Sequence, residues 1–253
     1  MATYDGWELL EDEKAPQGKK TLGRGGQGTV YLARSPQGVK QRQIAENRAK
    51  DLLMRVQSLQ CQPIELAKCF LELGNPDPVE NLGALKQFEI PAGDKDEEAK
   101  ALGRLESEIR ALQNVKHPAV LKLLHSNLGQ RFIVTQYHQR GTLDRNLKLY
   151  QENVRPALEA FRALVEGVCE IHKHGAIHRD IKTENIFVAT SGDLVLGDFG
   201  IVFFQEGQGE RLTSTYDRVG SPYWMAPWAY DNVRLNLGQV QPALDIYPLA
   251  KVL

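Results

Sequence analysis

The spacing of apolar residues changes several times along the chain, and each change marks an element. Ala45, Ala49, Leu52, Leu53, Val56 and Leu59 recur at helical intervals, as do Leu102, Leu105, Ile109 and Leu112 between 95 and 115. Such intervals line one face of an α-helix with apolar side chains. Ile64 to Leu73 predicts a second, shorter helix, closed by Gly74-Asn75-Pro76-Asp77-Pro78. A longer one is expected from Pro156 to about His174, with Leu158, Phe161, Leu164, Val165, Val168 and Ile171 on its buried side and Gly175 ending it.

Shorter runs between turn residues read as strands. Residues 19 to 34 place Gly23, Gly25 and Gly28 between two strand-like runs, and Val120 to Leu124 and Phe132 to Val134 complete a small antiparallel sheet. Ile186 to Val188 and Leu194 to Leu196 flank Thr190-Ser191-Gly192-Asp193, which is turn chemistry, so they form a hairpin.

Folding that hairpin brings Asn185, before its first strand, beside Asp198, after its second, with Asp180 a short loop away. Three oxygen-bearing side chains at this spacing suit Mg²⁺ that keeps some of its waters, and a polyphosphate carried with it. Upstream, Thr29-Val30-Tyr31-Leu32 after the glycines favours a strand and not the helix of a dinucleotide-binding turn. The glycines then form a flap whose backbone amides can close over phosphates.

Composition narrows the class. With 253 residues, 42% hydrophobic and 25% charged, the chain suits a soluble globular protein. Its 31 basic and 32 acidic side chains give no global attraction to nucleic acid or an anionic membrane. No segment approaches 18 uninterrupted apolar residues, the N-terminus lacks an export signal, and Cys61, Cys69 and Cys169 are expected to be buried, reduced thiols, so a cytoplasmic location is expected.

His178-Arg179-Asp180, Lys182, Asn185 and Asp198-Phe199-Gly200 resemble the catalytic and magnesium loops of the eukaryotic-type serine/threonine protein kinases. The resemblance covers about residues 17 to 253 and implies an α+β, two-lobed fold. It implies an extension over 1–16, a small nucleotide-binding lobe over 17–137 with a helical insertion at 35–82, and a large lobe over 138–253. It also implies ATP and Mg²⁺ as cofactors, a protein substrate with a serine or threonine hydroxyl, and no nucleic-acid or membrane partner.

The site residues follow from it. Asp180 orients the acceptor hydroxyl, Lys182 neutralises the γ-phosphoryl group, and Asn185 and Asp198 hold Mg²⁺. Leu22, Gly23, Gly25, Gly28, Val30, Ala84, Thr135, Gln136, Tyr137 and Phe187 line the nucleotide. Gly83-Ala84-Leu85-Lys86 resembles the strand whose lysine holds the α and β phosphates, with Lys40 as competitor. The helix at 95–115 decides for Lys86, because Glu108 lies nine residues before His117-Pro118 as the lysine-pairing glutamate does. Glu108 abuts an apolar face, where a carboxylate needs a partner.

Gly220-Ser221-Pro222-Tyr223-Trp224-Met225-Ala226-Pro227-Trp228 resembles the substrate-docking loop, with Trp228 where the family carries a glutamate that pairs with a distant arginine. Arg179 is expected to face a negative charge from this region: Asp217 at the usual phosphosite, or phosphate on Thr213, Ser214 or Thr215. Asp245 is expected to cap a central helix of which barely one turn is present. The chain alone is therefore expected to be a poor enzyme, partly unfolded or aggregation-prone, beside one extended downstream. The alternatives are an inactive fragment, a nucleotide-binding pseudokinase or scaffold, or a small-molecule kinase, which would lack the docking segment.

Overall fold

A computed structural model describes residues 4–12, 18–58, 62–75, 77–90, 93, 95–205, 222–228 and 241–253. The chain forms two compact units, Met1–Gly25 with Thr29–Gln87, and Gly26–Gly28 with Phe88–Leu253. The expected lobe boundary falls later, after Tyr137. Asp217, Thr213, Ser214, Thr215 and Ser221 lie outside the described residues, as do Leu59 and Cys61.

In the first unit, β1 (Glu8–Leu9) pairs antiparallel with β3 (Gly28–Arg34), which also pairs with β2 (Thr21–Gly25) across the glycine-rich turn. The flap is therefore strand, turn and strand, as β-branched and aromatic residues after the glycines require. α1 (Pro36–Gln57) starts at once. Ser35 caps it, with Oγ accepting from Gly38 N at 3.1 Å, and Pro36 fits the first turn because its missing N–H has no helical partner there. α2 (Pro63–Gly74) folds back on α1, and together they bury Ala49, Leu52 and Cys69, with Leu66 and Leu73 packed alongside. Leu53, expected on the buried face, is exposed.

After α2 the chain returns to the sheet as β4 (Leu82–Phe88), beside β3. The return point is held electrostatically. Arg34 is 7% exposed, and its Nε and Nη2 donate to the two carboxylate oxygens of Asp77 at 2.9 Å each, while Nη1 meets Glu8. Gly38 allows the close approach, since a Cβ there would lie 2.8 Å from Arg34 Cγ.

The second unit holds α3 (Lys95–Asn114), β5 (Leu123–Asn127), β6 (Phe132–Gln136), α4 (Lys148–Gln151) and α5 (Val154–Lys173). They are followed by β7 (Ala176–Ile177), β8 (Ile186–Val188), β9 (Leu194–Leu196), β10 (Phe203–Phe204) and α6 (Ala243–Val252). One core unites Leu105, Ile109 and Leu112 of α3, Leu164, Val168 and Ile171 of α5, the whole of β9, Phe199 and Leu249 of α6. With its antiparallel sheets and helices the fold class is α+β, as expected. Among the described residues no helix is long and apolar enough to cross a membrane.

Four expectations are corrected. The strand predicted over Val120 to Leu124 begins at Leu123, because Val120 and Leu121 are buried by bridging Leu196 instead. Leu158 is exposed, since it lies about 120° around α5 from Leu164, and Ala160 takes the inner position. Cys169 is exposed on the same helix, and only Cys69 of the described cysteines is buried. The last helix has ten residues and not one turn, and Leu249 on it is buried in the core.

The Arg34 hydrogen bond holds the Asp77 carboxyl below its ordinary pKa. A depressed carboxylate adds stability above its unfolded pKa and loses it as pH falls through the folded one. Asp77→Asn is expected to cost about 2–3 kcal/mol at neutral pH, because it leaves the buried guanidinium poorly paired. Thermal unfolding of both proteins from pH 7 down to pH 3 should show the gap narrowing below the usual carboxylate range.

Candidate active site

α5 delivers the chain to the site. Gly175, at φ 67°, takes the left-handed turn that ends the helix, and Ala176 and Ile177 are fully buried as β7, paired with β10. The loop that follows is fixed from α6. Asp245 is fully buried, and its Oδ2 accepts from His178 N at 2.8 Å and from His172 Nε2 at 2.8 Å, while Oδ1 accepts from Arg179 N at 2.8 Å. Asp245 therefore sits in the first turn of α6 with its carboxylate turned to the loop. Pro242 occupies the cap position expected for it.

His178 is also fully buried and connects the loop to the next strand. Its Nε2 lies 3.0 Å from Gly197 O, which can only accept, so Nε2 carries the proton. Nδ1 is then the acceptor for Asp180 N at 3.3 Å, and the ring stands edge-on to Phe199 with centroids 4.8 Å apart.

Arg179 adopts φ 67°, an uncommon conformation for a branched-out side chain, and its Nε donates to Ile201 O at 2.7 Å. Burial lowers its pKa to about 10, with the Arg104 charge adding to the shift and Asp245 opposing it. It stays cationic at neutral pH. Its Nη2 is buried without a hydrogen-bond partner among the described residues, and its guanidinium lies 5.5 Å from the Phe203 ring centroid.

The two oxygens of Asp180 differ. Oδ2 accepts from Lys182 Nζ at 2.8 Å and from Asn185 Nδ2 at 2.8 Å. Oδ1 is buried with no partner among the described residues. Asn185 Nδ2 also donates to Asp180 O at 2.9 Å, so its two protons face Asp180 and its Oδ1 is the atom left for a cation.

The hairpin has the expected register, with Ile186 opposite Leu196 and Val188 opposite Leu194. Gly197 N donates to Asn185 O at 2.8 Å, which sets Asp198 one residue past Asn185's partner. Asp198 is exposed, at φ 57°, between buried Gly197 and fully buried Phe199. The structure thus joins Asp180, Lys182 and Asn185 directly and brings Asp198 to the same hairpin end. Asn185 and Asp198 carry oxygen donors of the type that hard divalent cations prefer.

Phe187 lies under His138, stacked with centroids 5.7 Å apart, and burial lowers the His138 pKa, which keeps that ring neutral. Thr135 is buried at the end of β6, Gln136 is exposed and Tyr137 half-buried. Glu108 is 3% exposed on the inner face of α3. Gly28 is buried, and beside it Gln27 Nε2 donates to Gly200 O at 3.0 Å. A Cβ on Gly200 would sit 2.1 Å from Gln27 Oε1, so a larger residue there would displace the Gln27 amide.

In the first unit, Leu22, Val30, Ala84 and Lys86 are half-buried on the sheet, and Gly23 and Gly25 are exposed with open space around them. Lys40 is exposed on α1, away from any strand. Sequence reasoning missed the anchoring by Asp245 and His172 and the contact of Gln27. Their partners are distant in the chain and no local pattern marks them.

A family model described as protein kinase domain matches residues 78–253, well over half of the chain, and the chain belongs to that family. Among curated relatives, the serine/threonine-protein kinase SMU1 of Mycosarcoma maydis is 33% identical over 146 residues, 56% of this chain and 18% of that protein. The mitogen-activated protein kinase kinase kinase 5 of Arabidopsis thaliana is 31% identical over 150 residues, 58% of this chain and 20% of that one. The serine/threonine-protein kinase US3 of human herpesvirus 1 is 41% identical over 103 residues, 40% of this chain and 21% of that one. The chain spans about a fifth of the length of each.

Replacing Asp245 with asparagine puts an N–H donor against at least one of the three donors now bound. Asp245→Asn is expected to lose about 2–4 kcal/mol of stability. The amides of His178 and Arg179 should lose protection in hydrogen exchange before those of β9 do.

Proposed function

We propose that the chain is an ATP-dependent protein serine/threonine kinase that acts on a protein hydroxyl. The observation that carries the reading is the asymmetry of Asp180. One oxygen is held by Lys182 and Asn185, and the other is a buried acceptor with no partner among the described residues. A buried acceptor without a partner is costly, and an acceptor hydroxyl delivered to Oδ1 would relieve that cost. As the hydroxyl oxygen bonds to the γ-phosphorus and the β–γ bridging bond breaks, its proton passes to Oδ1. Lys182, two residues after Asp180, supports serine or threonine as acceptor through the resemblance, and the names of the relatives agree.

The remaining roles follow the family. Asn185 Oδ1 and the Asp198 carboxylate would hold Mg²⁺, which supplies positive charge for the phosphates. Lys86, positioned by Glu108, would hold the α and β phosphates, and Lys182 would lie against the transferred group. Leu22, Val30, Ala84, Thr135, Gln136, Tyr137 and Phe187 would receive the adenine, while Gly23, Gly25 and Gly28 admit the phosphates without Cβ interference. A cytoplasmic location fits the free thiols of Cys69 and Cys169.

Two variants separate binding from transfer. Asp180→Asn is expected to lower phosphate transfer to a basic protein by about 10²- to 10⁴-fold, while affinity for Mg²⁺-ATP stays within a few-fold. Asp198→Ala is expected to abolish the gain in ATP affinity that Mg²⁺ provides in a titration of the folded protein. Equal ATP binding with and without Mg²⁺ in the unsubstituted chain would overturn the reading.

A further inference from the structure

The last turn of α6 carries a cation enclosed by aromatic rings. Lys251 Nζ lies 3.6 Å from the ring centroid of Tyr223, 5.5 Å from that of Trp224 and 5.7 Å from that of Tyr247. The same Nζ donates to Tyr223 O. Tyr223 and Trp224 stand edge-on to each other at 5.6 Å, in the short 3-10 turn Pro222–Trp224 that opens the segment 222–228. An ammonium over a ring face is drawn to the negative side of the ring quadrupole, and each ring within about 6 Å adds to the attraction. The backbone bond fixes the direction of approach.

This segment is the one that resembles the docking loop, and Trp228 stands where the resembling motif has a carboxylate. An indole carries no charge and cannot make the ion pair that ties such a loop to a distant arginine. Tyr223 is 73% exposed, so burial does little to hold its ring in place. The contact with Lys251 does. Asp245, six residues earlier on the same ten-residue helix, holds the loop of Asp180.

We propose that Lys251 is a positioning residue for the substrate polypeptide. It replaces an ionic anchor with a cation enclosed by Tyr223, Trp224 and Tyr247, and so holds the docking segment in register with the Asp180 loop through α6. The proposal rests on the kinase reading. A docking segment released from its anchor has to be ordered by the substrate, and that cost appears in substrate affinity and not in the chemical step.

The test compares Lys251→Met, which keeps the length and apolar stem but removes the charge, with Lys251→Arg, which keeps the charge. For Lys251→Met the KM for a basic protein substrate should rise about tenfold, with kcat and the KM for ATP within twofold of the parent. Lys251→Arg should restore most of the loss. An unchanged protein KM in Lys251→Met, or equal increases in both KM values together with a lowered Tm, overturns the proposal. Hydrogen exchange supplies a second readout that does not depend on activity. In Lys251→Met the amides of 223–226 should exchange faster while those of 178–182 are unaffected. If the unsubstituted chain transfers no phosphate, the kinase reading fails by itself, and exchange in 223–226 still decides whether Lys251 anchors the segment.

Discussion

A single buried carboxylate organises the second unit. Asp245 has no exposed surface, and an ionised group there is tolerable only if its oxygens are fully engaged. Three donors engage it: two successive backbone amides of the loop and the ring of His172. Their combined strength also decides a local conflict. Holding Arg179 in the left-handed region costs about 1–3 kcal/mol, whereas hydrogen bonds to a charged group contribute about 1.5–3 kcal/mol each. The carboxylate wins, and the strained turn it imposes sets the direction of Asp180.

From there order is passed on by hydrogen bonds and not by packing alone. His178 links the loop to Gly197 through a fixed tautomer, and Asn185 links Asp180 to the hairpin. Asp180 and Asp198 carry the same functional group, yet one is nearly enclosed and the other exposed. That difference suits one to meet a hydroxyl and the other to meet a hydrated cation. Arg179 adds a buried cation that stays charged at neutral pH, with one donor that has no partner among the described residues.

The parts of this arrangement that were legible in the sequence are those with local rules. The hairpin at 186–196 follows from two apolar runs and a four-residue turn, and the flap at 21–34 from glycines followed by β-branched residues. Lys86 lies on strand β4, with α3 following it, whereas Lys40 lies on α1. Asp245 was misread because an aspartate near a proline resembles a cap, and the donors it binds lie 66 to 73 residues away. Val120 and Leu121 look like strand but are buried by Leu196, a contact that no periodicity in their own neighbourhood could show. Leu158 and Cys169 were recoverable, since both fall away from the α5 stripe once its angle is drawn from Leu164, Val168 and Ile171.

The ion cluster of Arg34, Asp77 and Glu8 has a different consequence. Arg34 is the last residue of β3 and Asp77 follows α2, 43 positions later, and Ser35 N reaches Asn81 O at 2.7 Å. The chain thus leaves the sheet and rejoins it at almost the same place, like the closed neck of a loop. Whatever lies beyond the neck does not determine the path of β3 or β4. The entropy of closing such an excursion grows only slowly with its length, by about 0.6 kcal/mol for each doubling. The neck is therefore a place where descendants of this gene can gain or lose whole helices while the sheet that bears Lys86 keeps its form.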